Sequence, residues 1–287
     1  MQIKQNKIKT LLDALPYIKE FRGKIVVIKY GGSAQTSPEL QEKFAEDISL
    51  LALVGIKPVI VHGGGAKISS LLEKLEIPSE FVDGHRVTCK DSMRVVEMVL
   101  SGEINKNITS LLNHHGTKSI GISGKDSSCI KAEPKDGGKF GFTGMITDVD
   151  GQAILNLIDE GFVPVIAPIA DSAEPNHPGF NINADIAASK VAIALQANKV
   201  LFLTDTKGVL DKNGQLLNSL DKCDVDSYKA DGTIAGGMIP KVDSCIDAIY
   251  NGVNKAHIID GRVEHSIILE LFTSDGVGTQ FLQKGND

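Results

Sequence analysis

One short pattern recurs along the chain: a β-rich apolar run, a glycine-rich turn and then a helical segment. The runs IVVIKY at 25–30 and PVIVH at 58–62 both end in glycines, and helical stretches follow at about 38–54 and 66–75. Strands that are apolar throughout are buried on both faces, and helical connections between them make them parallel. The pattern therefore predicts a layered α/β fold built on a mainly parallel sheet.

The same alternation predicts the remaining elements. We expect strands at 118–122, 163–169, 199–205 and 256–260, and helices at 91–100, 103–114, 151–160, 184–196, 240–250 and 264–272. Alternating residues at 128–149 predict β-hairpins, and the polar, proline-rich residues 171–180 predict a loop. Apolar residues between Ile8 and Phe21 form one face of an N-terminal helix, which Pro16 should kink or break.

Composition and charge narrow the class of protein. The 287 residues are enough for one large domain or two lobes, and the net charge of −6 without a basic run predicts no nucleic-acid partner. No run approaches the roughly 18 apolar residues of a membrane span, and the first residues lack the apolar core of a signal peptide. The four cysteines are widely spaced, which predicts reduced thiols rather than a zinc site or a disulfide framework. We therefore expect a cytoplasmic protein without a membrane partner.

Three turns are rich in glycine, at 31–32, 63–65 and 236–237, and Lys29 precedes the first while Lys241 follows the last. Parallel strands bring such turns to the carboxyl edge of their sheet, where glycine N–H groups, helix N-termini and lysines bind phosphates. A single glycine pair is more simply explained as a tight turn, and the spacing alone does not identify a nucleotide. The combination favours a phosphate-binding edge over three unrelated turns.

Several common site types are excluded by missing motifs. No G-x-x-x-x-G-K-[ST] occurs, and no G-x-G-x-x-G follows a strand, so neither a P-loop nor a dinucleotide site is supported. The HGGG at 62–65 resembles the oxyanion hole of esterases, which requires a G-x-S-x-G nucleophile elbow. The nearest text, GISGK at 121–125, fails at its last position, which argues against a hydrolase.

Six motifs occur in order along the chain. They are IKYGGS (28–33), VIVHGGG (59–65), DGHRVT (83–88), NINADIAA (181–188), VLFLTDTKGVLD (200–211) and AGGMIPKV (235–242). In this set and order, the chain resembles the amino-acid kinase family from about residue 8 to residue 282. The resemblance implies an α/β fold, a three-layer αβα sandwich around a mainly parallel central sheet, with two lobes and a kinked N-terminal helix. It implies an oligomerisation helix at 1–23, an acylamino-acid substrate lobe at 24–176 and an ATP-binding lobe at 177–287.

Within the family, the motifs match members that transfer the γ-phosphoryl group of ATP, bound with Mg²⁺, to the side-chain carboxylate of N-acetyl-L-glutamate in arginine biosynthesis. A carboxylate with a reference pKa of about 4.3 is already ionised at neutral pH, so no general base is needed. The demand on the site is electrostatic, because two anions must meet and charge spreads over the transferring phosphoryl group. One departure is His85, which stands where these members often have Leu.

The resemblance assigns the catalytic roles to three residues. Lys29 would contact the transferring phosphoryl group, and Lys241 would balance charge as the leaving group forms. Asp185 would position the two lysines. The simpler alternatives are a solvated surface lysine in either case and an Asp that only complements a helix dipole.

On the substrate side, Arg86 would bind the carboxylate that is not phosphorylated, since its planar fork suits bidentate pairing. Asn181 would hydrogen-bond the bound acylamino acid, although loop and cap positions also favour Asn. Backbone N–H groups of Gly64 and Gly65 would contact the substrate.

On the nucleotide side, the expected residues lie in three glycine-containing turns. Gly31 and Gly32 would cradle the phosphoryl group, and the nucleotide would be bordered by Thr204, Asp205, Gly208, Gly236 and Gly237. Because Mg²⁺ dehydrates reluctantly, ATP oxygens and water would hold it, and we expect no protein ligand to the metal.

Family members that are inhibited by arginine carry a similar N-terminal helix, which joins dimers into a hexamer, and a C-terminal segment like residues 257–279. The resemblance implies a homo-oligomer, with a dimer core, and an arginine site made of Tyr17, Lys199, His257, Glu270, Gly276 and Gly278. The alternatives are that the helix packs on its own lobe and that His257 makes only a strand-end hydrogen bond.

Two other functions stay open at this point. Another family member, which phosphorylates aspartate, glutamate or carbamate, is disfavoured by the motifs DGHRVT and NINADIAA. A non-catalytic, arginine-sensing binding protein is disfavoured because Lys29, Asp185 and Lys241 are all present.

Overall fold

A sheet of eight strands forms the middle of the computed structural model, which describes residues 2–35, 37–82, 85–274 and 276–283. The strands are β1 (Ile25–Tyr30), β2 (Lys57–His62), β3 (Glu80–Val82), β4 (His85–Val87), β5 (Ser119–Ser123), β6 (Ile130–Pro134), β7 (Gly144–Val149), β8 (Val163–Ala167), β9 (Ile169–Ala170), β10 (Phe180–Asn181), β11 (Lys199–Thr204), β12 (Ser219–Leu220), β13 (Lys255–Asp260) and β14 (Thr279–Phe281). The helices are α1 (Gln2–Phe21), α2 (Pro38–Leu53), α3 (Gly65–Lys74), α4 (Lys90–Glu97), α5 (Asn105–His114), α6 (Gly151–Asp159), α7 (Ala184–Ala194), α8 (Lys222–Ala230), α9 (Met238–Tyr250) and α10 (Ser266–Phe272).

The order of strands in the large sheet is β12-β14-β13-β11-β1-β2-β8-β5. The six strands from β13 to β5 are parallel to their neighbours, whereas β14 runs antiparallel to β13. The prediction of a mainly parallel sheet is therefore confirmed. The predicted hairpin in 128–149 is also confirmed, since β6 and β7 pair antiparallel.

The two faces of the sheet are covered by different helices. On β1, Val27 packs into one core with α6, α7, α8 and α9, whereas Val26 and Ile28 pack into a second core with α2, α3, α4, α5 and α10. Successive side chains of a strand point to opposite faces, so an apolar strand serves both cores. The three-layer αβα arrangement is confirmed. The division into two lobes at about residue 176 stays a prediction.

The predicted break between helices at 91–100 and 103–114 is wrong. A π-helical segment, Met98–Ile104, joins α4 directly to α5. The N–H of Asn105 reaches the carbonyl of Leu100, five residues earlier, so the wider hydrogen-bond spacing absorbs Ser101-Gly102 without ending the helix.

The N-terminal helix is also continuous. α1 passes through Pro16 without ending, so the helix is not broken there. Pro16 is exposed, and the carbonyl of Leu12, which loses its helical donor, lies on a turn that is open to solvent. No helix among the described residues is both long and apolar enough to cross a bilayer.

Several short elements were not predicted from the sequence. They are the β3–β4 hairpin, the short strands β12 and β14 at one end of the large sheet, and α8, which begins with a capping box between Asp221 and Asp224. The β3–β4 hairpin matters most, because it carries Arg86.

Ile28 precedes the lysine of β1 and is fully buried, whereas Leu53 at the end of α2 is 84% exposed. We expect Ile28→Ala to lower the free energy of unfolding by about 2–5 kcal/mol, because it leaves a cavity in a core that cannot fully collapse. The matched control Leu53→Ala should change it by less than about 0.5 kcal/mol. Urea unfolding followed by circular dichroism measures both, and equal effects would contradict this account of the core.

Candidate active site

Three charged side chains from distant parts of the sequence meet at the carboxyl edge of the sheet. Asp185 accepts a hydrogen bond from Lys241 Nζ at 2.8 Å through Oδ2, and its Oδ1 lies 3.1 Å from Lys29 Nζ. All three side chains are largely buried, with exposures of 8% for Lys29, 7% for Asp185 and 17% for Lys241. The carboxylate thus bridges the two ammonium groups.

Each of these residues is positioned by the element that carries it. Lys29 is the penultimate residue of β1 and is held in register by Phe202 of β11 and Val61 of β2. Asp185 lies in the first turn of α7, where the Asn183 side chain caps the helix by accepting from the Asp185 N–H at 2.8 Å. Lys241 lies in the first turn of α9.

The charges of this cluster depend on one another. Burial lowers the pKa of the Lys29 ammonium, although the charge of Asp185 acts in the opposite direction. Burial alone would raise the pKa of the Asp185 carboxyl, but the charges of Lys29 and Lys241 outweigh it and hold that pKa below its ordinary value. Asp185 is therefore ionised at neutral pH and orients the two cations.

A cleft of about 240 Å³ opens next to this cluster. It is lined by Lys29, Gly31, Gly32, Gly63, Gly64, Gly65, Ile68, Phe81, Arg86, Leu100, Thr143, Pro168, Asn181, Ile182, Asn183, Ala184 and Asp185. The structure thus brings together all of the residues that were expected to bind the substrate and the phosphoryl group. Lys241 belongs to the cluster but does not line the cleft.

Arg86 is 6% exposed, and its guanidinium lies 4.5 Å from the centre of the Phe81 ring. It donates to the hydroxyls of Ser79 and Ser69 and to the carbonyl of Gly65. No carboxylate from the described part of the chain forms an ion pair with it, so this buried cation can accept an anionic ligand. Residues 83 and 84 and the side chain of His85, where the sequence departs from the family, lie outside the described residues.

Gly64 lies against the π-helical segment. A Cβ at this position would come within 2.5 Å of Ile104 Cδ1 and 2.6 Å of Leu100 Cδ2, so a larger residue would have to displace the ends of these two side chains. The π-helical segment therefore packs directly against the HGGG turn. This role of the segment was missed, because an apolar helical pattern does not reveal a π-turn.

His62 and Asn105 support the same turn from behind, and neither was predicted as a site residue. Asn105 Nδ2 donates to the carbonyl of Val165 at 2.8 Å and lies 3.2 Å from His62 Nε2, which must therefore accept. His62 Nδ1 then carries the proton and donates to the carbonyl of Gly63 at 3.1 Å. Burial lowers the pKa of His62 to about 4, which keeps the ring neutral.

The residues expected at the nucleotide lie along the same sheet edge but do not line the cleft. Thr204 ends β11, and its hydroxyl donates to Asp205 at 3.2 Å. A Cβ on Gly32 would lie 4.0 Å from the Asp205 N–H nitrogen, so the first glycine turn borders this strand end. Gly236 and Gly237 directly precede α9, and Gly208 packs against Thr279.

Carboxylates suited to direct metal binding are scarce near the cleft. Both oxygens of Asp185 face lysines, and the described residues contain no group of three or more His, Cys, Asp and Glu side chains placed to hold a metal. This donor set fits a Mg²⁺ ion that is held through nucleotide oxygens and water.

Three of the residues expected to bind arginine lie close together: Lys199 begins β11, His257 lies on β13 and Glu270 lies on α10. His257 Nδ1 is 2.6 Å from Glu270 Oε1, and the other Glu270 oxygen accepts from the Val277 N–H at 2.9 Å. His257 Nε2 is buried and has no hydrogen-bond partner among the described residues. Lys199 Nζ lies 4.9 Å from the centre of the Phe21 ring at the end of α1.

Glycine is required beside this cluster. At Gly276, φ is +60°, and a Cβ would approach Glu270 Oε2 to 2.9 Å. At Gly278, a Cβ would lie 2.1 Å from the carbonyl oxygen of Ile258. Tyr17 lies one turn before Phe21 on α1 and is partly buried.

Comparison with known proteins gives full-length relatives. A family model described as "Amino acid kinase family" matches residues 24–260. The chain is 74% identical over 280 residues to the acetylglutamate kinase of Aliarcobacter butzleri, with 98% of this chain and 93% of that protein covered. It is 62% identical over 283 residues to the acetylglutamate kinase of Wolinella succinogenes, with 99% and 100% covered.

Among solved structures, the chain is similar to an N-acetylglutamate synthase from Neisseria gonorrhoeae. The complex of that protein with coenzyme A and N-acetylglutamate has a TM-score of 0.85 at 25% identity and covers 97% of this chain. Its complex with coenzyme A and L-arginine has a TM-score of 0.80 at 25% identity and covers 96% of this chain. This chain spans 64% of the synthase in the first complex and 65% in the second.

Lys29→Ala removes one of the two cations on Asp185. We expect kcat for phosphoryl transfer to fall roughly 10²–10³-fold, the usual cost of losing one preorganised donor, with a smaller change in the KM for ATP. The matched control is Lys24→Ala, which removes an exposed lysine just before the same strand. Steady-state kinetics that leave kcat unchanged in Lys29→Ala would exclude Lys29 from the reaction.

Proposed function

The chain belongs to the amino acid kinase family, and from this membership we propose that it transfers the γ-phosphoryl group of ATP to the side-chain carboxylate of N-acetyl-L-glutamate. The protein is an enzyme of the phosphotransferase class, because the relatives that match it over nearly its whole length are acetylglutamate kinases. The alternative of a non-catalytic binding protein is not favoured, since the pairing of Lys29, Asp185 and Lys241 is intact.

The charges that line the cleft indicate which substrate accepts the phosphoryl group. Its lining includes the cations Lys29 and Arg86, and the carboxylate among its lining residues, Asp185, already faces two lysines. A free amino acid would bring an ammonium group that finds no counter-charge among these residues, and burying an unpaired charge is costly. An acylated amine is neutral, so a dicarboxylate such as N-acetylglutamate fits better than glutamate or aspartate.

The reaction then needs positioning and charge neutralisation. The acceptor carboxylate is already ionised at neutral pH and attacks the γ-phosphorus directly. In this proposal Arg86 binds the carboxylate that does not react, while Lys29 and the N–H groups of Gly31 and Gly32 stabilise charge on the transferring phosphoryl group. Lys241 stabilises the departing ADP, and Asp185 keeps both lysines in place.

ATP occupies the strand end next to the first glycine turn. The proposed border is formed by Thr204, Asp205, Gly208, Gly236 and Gly237, within an ATP-binding lobe at 177–287 that faces a substrate lobe at 24–176. Mg²⁺, when bound to the nucleotide oxygens, offsets phosphate charge. A cytoplasmic location is proposed from the cysteine pattern of the sequence.

An ADP-release assay with a panel of acceptors tests this function. We expect ATP-dependent turnover with N-acetyl-L-glutamate and a kcat/KM at least about 100-fold lower with glutamate, aspartate or carbamate, because an unpaired ammonium or a missing second carboxylate leaves buried charges unpaired. Lys29→Ala, assayed in parallel, accounts for contaminating ATPase. Equal turnover with glutamate would contradict the proposed acceptor.

As part of the same proposal, L-arginine binds at His257 and Glu270 and inhibits the enzyme. Burial lowers the pKa of His257, so the neutral ring donates from Nδ1 to Glu270 and leaves Nε2 as an unpaired buried acceptor. The ionised carboxylate of Glu270 and the free His257 Nε2 suit the donors of the arginine guanidinium. Lys199 offers a positive charge for the carboxylate of arginine. The synthase complex with L-arginine supports this choice of ligand.

The N-terminal helix supplies the proposed contact between dimers of a hexamer. Ile8, Leu12 and Leu15 lie on one face of α1 and are 59%, 56% and 40% exposed. Such a stripe on an extended helix favours packing against a second copy over packing on its own lobe.

Deletion of residues 1–22 tests the assembly. We expect light scattering to give a hexamer for the full chain and a dimer for the deletion variant, because the apolar contact between dimers is removed. Leu12→Glu should act like the deletion, whereas Lys9→Glu, an exposed neighbour outside the stripe, should not. If the full chain is itself a dimer, the proposed hexamer is excluded.

A further inference from the structure

A chain of hydrogen bonds runs behind the substrate side of the cleft. Asn181 Nδ2 lies 3.1 Å from Thr88 Oγ1, Thr88 Oγ1 lies 2.9 Å from Thr143 Oγ1, and Thr143 Oγ1 lies 2.5 Å from the carbonyl oxygen of Arg86. Thr88 is fully buried and Thr143 is 4% exposed. The chain therefore links the two residues proposed to bind the substrate, Arg86 and Asn181.

All hydrogen bonds of this chain donate in the same direction, toward the Arg86 carbonyl. The Arg86 carbonyl can only accept, so Thr143 donates to it, and Thr88 must then donate to Thr143. The hydroxyl of Thr88 also lies 3.4 Å from the Arg86 carbonyl. If Thr88 donated to that carbonyl, however, the shorter contact between the Thr88 and Thr143 hydroxyls would have no proton. Thr88 is thus left as an acceptor toward Asn181, which must turn its NH₂ group to Thr88.

This orientation leaves Asn181 Oδ1 for the ligand. Four lining residues carry side-chain acceptors, namely Thr143, Asn181, Asn183 and Asp185. Thr143 accepts from Thr88, Asn183 caps α7, and Asp185 faces the lysines. Among these lining side chains, Asn181 Oδ1 is the acceptor without a partner in the described part of the chain.

N-acetyl-L-glutamate at neutral pH has one hydrogen-bond donor, its amide N–H, while its carboxylates and acetyl oxygen only accept. We propose that Thr88 and Thr143 are positioning residues that fix the Asn181 amide so that Oδ1 accepts the N–H of the substrate's acylamino group. The inference rests on the proposed function and adds the means by which the cleft selects an amide. While the hydrogen-bond chain from Asn181 through Thr88 to Thr143 is intact, a substrate that lacks this N–H leaves Asn181 Oδ1 unpaired. The missing hydrogen bond weakens transition-state binding.

The test compares N-acetyl-L-glutamate with (S)-2-acetoxyglutarate, in which an ester oxygen replaces the amide nitrogen. Wild type should prefer the amide by about 10- to 100-fold in kcat/KM, the effect of one lost hydrogen bond to a buried acceptor. Thr143→Val removes the hydroxyl with little change in shape, frees Thr88 and Asn181 to turn, and should reduce the preference to less than about threefold. Thr143→Ser keeps the hydroxyl and should restore the preference.

Controls separate positioning from a general structural effect. Thr147→Val makes the same substitution in β7 at an exposed threonine whose hydroxyl donates to the Lys131 carbonyl at 3.3 Å, and it should keep the wild-type preference. In an Asn181→Ala background, Thr143→Val should cause no further loss of the preference for the amide over the ester, because the hydrogen-bond chain acts through Asn181. The KM for ATP should not change in any of these variants. Thr88→Val interrupts the chain one step earlier and replaces Thr143→Val if that variant does not fold.

Several outcomes would overturn the inference. Wild type that turns over the amide and the ester equally well overturns the inference and leaves the proposed function standing. The inference is also overturned if Thr143→Val keeps the wild-type preference for the amide over the ester. It is overturned as well if Thr143→Val lowers that preference equally in the wild-type and Asn181→Ala backgrounds. Wild type that does not phosphorylate N-acetyl-L-glutamate removes the proposed function and this inference together.

Discussion

The ionised carboxylate of Asp185 between Lys29 and Lys241 is the interaction on which the site depends. Two buried ammonium groups at this spacing would repel each other, and a buried carboxylate alone would be costly. Together they form a bridge that ties β1, α7 and α9 at one edge of the sheet. The bridge leaves positive charge preorganised toward the cleft, which is the main requirement of phosphoryl transfer to a carboxylate.

The rest of the cleft is built around this bridge by close backbone packing. Gly64 packs against Leu100 and Ile104 of the π-helical segment, and the neutral ring of His62 donates to the carbonyl of the preceding glycine. Together with the hydrogen bond from the Gly63 N–H to the Tyr30 carbonyl at 2.8 Å, these contacts hold the HGGG turn in place beside the cleft. The irregular helix is therefore part of the site and is not a defect of the fold.

The strands that carry the site also connect it to the proposed regulatory cluster. β11 begins at Lys199 and ends at Thr204, and its neighbour β13 carries His257. The two clusters therefore lie toward opposite ends of the same strands, with Phe21 of α1 beside Lys199. Two buried strands therefore join the proposed arginine-binding cluster to the proposed nucleotide edge.

The sequence by itself determined the parallel α/β architecture, because runs apolar throughout, followed by glycines and helices, have few other solutions. It also placed Lys29 at a strand end, and the family motifs predicted Asp185, Lys241, Arg86 and Asn181 as site residues. It predicted a helix break at residues 101–102 that does not exist and missed the β3–β4 hairpin, since a π-turn and three-residue strands leave no periodic trace.

Only the tertiary structure decided which polar groups meet. Thr88 and Thr143 are 55 residues apart, and Asn181 lies 93 residues from Thr88, so no local pattern links them. The direction of their shared protons depends on one carbonyl that can only accept, and this became visible only when the strands had brought the residues together. Periodicity predicts which face of an element is buried, but hydrogen-bond partners are set by how separate elements pack.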